Sequence, residues 1–121
     1  MHARPPTITV AEDTATAVIV GDFDMPTTFA TEPALERTLQ TPGLRGFTLD
    51  LSRLTFIDSL GLGVILRLAN ELDARGIAMR IVPGPPPVQR VFATAGMAHA
   101  LPFEPEPTRV PQGSRGERTG S

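Results

Sequence analysis

Leu51-Ser52-Arg53-Leu54-Thr55-Phe56-Ile57-Asp58-Ser59-Leu60-Gly61-Leu62-Gly63-Val64-Ile65-Leu66 decides how this chain reads. An apolar extended run ends in the Asp58-Ser59 pair, and glycines and aliphatic residues follow at once. Such a pattern turns from strand to helix at that pair. The helix is expected over about Leu60 to Arg75, with Gly76 as its left-handed stop. Leu62, Ile65, Leu66, Ala69 and Leu72 have helical spacing and should face a sheet. Leu60, Val64 and Leu68 form a second ridge. Either it is buried as well, or Leu60 and Val64 stay partly exposed as a docking patch beside Ser59. Gly61 and Gly63 each cost a helix about 1 kcal/mol relative to Ala. Close approach of a backbone or of a partner is the expected offset.

The rest of the chain alternates strand and helix signals. Thr7 to Ala11 and Thr14 to Gly21 read as strands joined by the tight Glu12-Asp13 link, an antiparallel hairpin. Gly21-Asp22-Phe23-Asp24-Met25-Pro26 reads as a break. A helix is predicted from Thr31 to Gln40, with Pro33 in its first turn, and Thr41-Pro42-Gly43 ends it. Phe47 to Leu51 alternates as a third strand, and Thr55 to Ile57 continues extended. Ile77 to Val82 is a fourth strand, Val88 to Thr94 a short helix, and Leu101 to Phe103 a last strand. The fold class is therefore α/β, a mixed β-sheet of order β-β-α-β-α-β-α-β with helices packed on it. Strands joined through helices cross over right-handed and lie parallel. One domain is expected over residues 7–104, with a disordered lead (1–6) and a disordered, Pro- and Arg-containing tail (105–121).

Composition removes several function classes. With no Cys, the chain has no disulfides, thiolate metal sites or cysteine nucleophile. Residues 7–104 hold seven Arg against eleven acids, a balance of −4, which opposes a phosphate-backbone grip. No apolar run reaches membrane-spanning length, so a cytoplasmic domain without membrane or direct nucleic-acid contact is expected. No metal site or cofactor is expected either.

Ser59 admits three roles. It can be an N-cap, satisfying an orphan amide for about 1 kcal/mol. It can be a nucleophile, but the partners are missing. Asp58-Ser59-Leu60 resembles the serine motif of GDSL-type hydrolases with Ile57 in the place of the glycine. Neither His2 nor His99 has an Asp three residues before it, and no Gly-x-Ser-x-Gly elbow exists. Gly61-x-Gly63 also lacks the rest of a phosphate-binding loop. No enzyme activity is expected. The third role is that of a phosphate acceptor.

The pattern strand–Asp-Ser-x-Gly-Leu-Gly–aliphatic helix resembles the STAS family, specifically the bacterial anti-sigma factor antagonists. Three blocks carry the likeness. They are Gly21 to Asp24, Leu49 to Leu66 around Ser59, and Val88 to Met97 with its Gly-apolar ending. The resemblance implies that a serine kinase, itself the anti-sigma factor, phosphorylates Ser59. The kinase would supply ATP and Mg²⁺, and a phosphatase would restore the hydroxyl. Unphosphorylated chain would bind the kinase and free the sigma factor for transcription; phosphorylated chain would let go. Asp24, Asp58, Leu60, Gly61, Gly63 and Val64 are the implied partner-facing residues. The alternative within the family is a subunit of a transport or signalling assembly without phosphorylation control. Two departures stand out: Leu60 fills a place often held by a small or hydroxyl residue, and Met25-Pro26-Thr27-Thr28-Phe29 opens the first helix unusually.

Overall fold

The computed structural model describes residues 6–105, so the expected lead and tail fall, but for Pro6 and Pro105, outside the described residues. The elements are β1 (Thr7–Ala11), β2 (Thr14–Val18), β3 (Gly21–Phe23), α1 (Met25–Leu39), β4 (Gly46–Asp50), β5 (Leu54–Ile57), α2 (Ser59–Ala74), β6 (Ala78–Val82) and α3 (Pro86–Thr94). A mixed sheet runs in the order β1-β2-β4-β6, with a separate β3-β5 ribbon. β1 and β2 pair antiparallel, as the two-residue link requires. β2–β4, β4–β6 and β3–β5 are parallel.

Alternation sorts the sheet into two faces. Ala15, Ala17, Phe47, Leu49 and Ile81 are buried on one, under the helices. The other carries the cross-strand row Thr9, Thr16, Thr48 and Arg80. Phe92 of α3 meets Phe103 edge-to-face, ring centroids 4.9 Å apart, and Phe103 bridges to Ile81 in parallel. Gly76 and Gly96 close α2 and α3 at φ of 71° and 76°. The amides of Ile77 and Met97 then reach back to the Leu72 and Phe92 carbonyls.

Four expectations are corrected. The last strand expected over Leu101 to Phe103 is a single isolated bridge, Phe103 to Ile81. Residues 21–23 are not a plain break. Gly21, at φ 87°, turns the chain out of β2, and the next residues form β3. The first helix starts at Met25 and not at Thr31, because Asp24 caps it and Pro26 fits its first turn. Pro33 therefore lies mid-helix, and the Phe29 carbonyl loses its intrahelical donor. Leu66 is exposed and does not face the sheet; Leu68 and Val64 are buried instead.

Candidate functional site

β3 and β5 lie side by side and parallel, and each runs directly into a helix. Their ends form one end of the molecule. The Asp58 amide donates to the Phe23 carbonyl at 3.2 Å, tying the two strand-to-helix turns together.

Each turn ends in an aspartate that caps the next helix. Asp24 Oδ1 accepts from the Thr27 amide at 3.4 Å, and Asp58 Oδ1 accepts from the Gly61 amide at 3.0 Å. The cap of α2 is thus Asp58, not Ser59. Ser59 is the first helical residue, exposed, and its side chain forms no hydrogen bond among the described residues. A hydroxyl there faces solvent beside the unpaired amides of a helix start, where added negative charge is favoured by about 0.3–1 kcal/mol. Asp22 is held too, its Oδ1 accepting from Thr55 Oγ1 at 3.0 Å.

Gly61 is buried against the β3 turn. A Cβ there would lie 2.6 Å from the Phe23 carbonyl oxygen, 2.9 Å from Ile57 Cγ1 and 3.0 Å from Phe23 Cδ2. The close backbone approach expected of it is real and lies within the domain. Gly63 differs: its Cβ would meet only Arg67 Nη1, at 3.4 Å. The expected Leu60–Val64 patch splits. Leu60 is 46% exposed, whereas Val64, at 3%, belongs to the core between the helices. Packing of α1 against α2 explains this, and the Glu32–Arg67 ion pair at 2.9 Å closes over that seam.

α1 supplies surface that the sequence reading did not assign. Met25 and Phe29 are exposed at 51% and 74%, one helical turn apart, and Phe56 of β5 is exposed as well. The Asp-Met-Pro order after the β3 glycine was the usable signal, since it places both residues in the first turns of a helix.

Among the described residues no Ser-His device is assembled. His99 lines a cavity of about 570 Å³ with Asp73, at the far end of α2. Fourteen residues of helix separate Asp73 from Ser59, roughly 21 Å of axial rise. Among the described residues no cluster of His, Asp and Glu is disposed to hold a metal, and no helix is long and apolar enough to cross a membrane.

Known proteins are similar to this chain in sequence and in fold. An anti-sigma F factor antagonist of Paenibacillus polymyxa is 29% identical over 83 residues, covering 69% of this chain and 71% of that protein. The anti-sigma factor antagonist SpoIIAA in unphosphorylated form superposes with a TM-score of 0.72 at 19% identity, over 86% of this chain and 89% of its own. Its phosphorylated form gives 0.66 at 19% identity, over 86% and 92%. An anti-sigma factor antagonist from Mycobacterium paratuberculosis gives 0.72 at 21% identity, over 86% of each chain. The STAS domain family itself matches residues 6–108, which takes in every described residue, and this protein belongs to it.

Proposed function

We propose that this chain is an anti-sigma factor antagonist switched by phosphorylation of Ser59. One observation carries the proposal: Asp58 does the capping, so the Ser59 hydroxyl is exposed and uncommitted. The likeness to named antagonists supports the role, and SpoIIAA is a relative known in both phosphorylation states.

The partner is an anti-sigma factor with serine kinase activity, which brings ATP and Mg²⁺. Ser59 Oγ attacks the γ-phosphorus of ATP, the new O–P bond forms, the bond to ADP breaks, and a base of the kinase takes the hydroxyl proton. A phosphatase reverses the state by hydrolysis. Leu60 at the start of α2 and Met25 and Phe29 in the first turns of α1 offer exposed apolar surface for docking, and Asp24 and Asp58 shape the two turns from which these helices start. On this reading the exchange takes place in the cytoplasm.

Electrostatics accounts for release. The phosphate adds about −1.5 to −2 charges. A partner carboxylate about 5 Å away is then repelled by about 3 kcal/mol per unit charge at an effective dielectric near 20. Each unit of charge is thus about two decades of affinity, so the phosphate removes at least that much without any refolding of the domain.

The test is incubation with the cognate kinase and ATP, followed by mass spectrometry of the digested chain. A single phosphate on Ser59, absent from Ser59→Ala, is expected. Phosphate on another residue, or none, refutes the assignment.

A further inference from the structure

The open edge of the four-stranded sheet is built to pair. Among the described residues, β1 is hydrogen-bonded on one side only, to β2. Its residues other than Ile8 are exposed, and the aliphatic Val10 stands 46% exposed. Thr7-Ile8-Thr9-Val10-Ala11 contains no charge, no Pro and no Gly, and its register with β2 is unbroken. Edges normally carry a charge, a proline or a bulge, because a free row of amides recruits another strand. β1 has none of these.

The turn fixes which amides face outward. Glu12 and Asp13 alone join β1 to β2, and Ala11 lies opposite Thr14. The pair flanking such a turn is a hydrogen-bonded one, and bonded and open pairs alternate along the ladder. Thr7, Thr9 and Ala11 therefore direct their amides to β2, and Ile8 and Val10 direct theirs to the open edge.

We propose that two copies of this chain pair through β1, antiparallel, about a two-fold axis at Thr9. In that register Ile8 of one copy lies opposite Val10 of the other, so the outward-facing residues of each copy bond reciprocally. Both side chains lie on the helix-covered side of the sheet, opposite Ala17 and Ala15, so Ile8 of one copy covers the exposed Val10 of the other. The contact is isologous and closes at a dimer, a continuous sheet from both copies. Pairing two five-residue strands is a small contact beside the roughly 1,000 Å² of durable complexes, so association in the micromolar range, about 1–100 μM, is expected. Ser59 lies beyond β5 and not on this edge, so a dimer presents two acceptor sites, and the inference stands independently of the proposed function.

Sedimentation velocity of the full chain tests it, over about 1 to 500 μM, a range that brackets such a constant. The chain is expected to pass from monomer to dimer with concentration. Val10→Pro removes an amide that the monomer ladder does not use, so it keeps the fold and abolishes the dimer. Val10→Lys places a charge at the edge and weakens association at least about tenfold, with an unchanged circular dichroism spectrum; it decides the matter if Val10→Pro does not fold. A monomer throughout, assembly beyond a dimer, or a dimer undiminished in Val10→Lys overturns the proposal.

Discussion

Gly61→Ala and Gly63→Ala should move stability in opposite directions, although they lie two residues apart on one helix. Taken alone, each exchange favours a helix by about 1 kcal/mol. At Gly63 little opposes that gain, because the new Cβ meets only the end of a flexible arginine at 3.4 Å. At Gly61 the Cβ would sit 2.6 Å from the Phe23 carbonyl oxygen, which also accepts the Asp58 amide. Backbone on one side and the Ile57 and Phe23 side chains on the other leave no room to yield. Overpacking of that kind costs about 1–3 kcal/mol or more, and weakening the Asp58 hydrogen bond adds about 1. Gly61→Ala should therefore destabilise the domain by a net ~1–3 kcal/mol, and Gly63→Ala should stabilise it by up to ~1 kcal/mol. Urea denaturation monitored by circular dichroism measures both; a kcal/mol corresponds to about 4–8 °C in Tm at this size. Gly61→Ala matching or exceeding the wild type in stability would refute the close approach of the two turns. A loss at Gly63 would contradict its open surroundings.

The remaining predictions concern the same end of the molecule and the helix beside it. Ser59→Ala should change stability by less than about 0.5 kcal/mol, whereas Asp58→Ala should cost about 1 kcal/mol, since Asp58 is the cap; the reverse order in thermal melts would restore Ser59 as the cap. Thr31→Val should stabilise by about 1 kcal/mol, because the Thr31 hydroxyl is fully buried with no hydrogen-bond partner among the described residues; a loss in urea denaturation would mean that the hydroxyl is satisfied. Phe29→Ser should leave stability within about 0.5 kcal/mol but weaken kinase binding at least tenfold, as truncation of an aromatic anchor does; unaltered affinity by calorimetry would remove α1 from the docking surface.

The fold was legible where period and punctuation agreed. Phe47, Leu49 and Leu51 alternate without ambiguity, and Gly76 and Gly96 stop their helices where glycine is needed for the left-handed residue. Legibility failed where one residue type carries two meanings. Pro33 reads as a helix start, yet Asp24 and Pro26 form the better one, and tertiary packing tolerates the interior proline. Gly21 reads as a strand terminator, yet its positive φ redirects the chain into a further strand. At the site, Ser59 was visible from its place between strand and helix, but which of Asp58 and Ser59 caps α2 was not, because Asp and Ser are both good caps. The exposure of Met25 and Phe29 depends on how α1 lies across α2, which periodicity does not encode. The burial of Val64 has the same origin.

The central claim is that covalent charge on an exposed, non-capping hydroxyl switches docking off. Titration calorimetry of the kinase partner with the unmodified chain and with the chain phosphorylated at Ser59 tests it directly. The account predicts that the phosphorylated chain binds at least about a hundredfold more weakly, with a circular dichroism spectrum identical to that of the unmodified chain. Equal affinities for the two forms, with both folded, would contradict it.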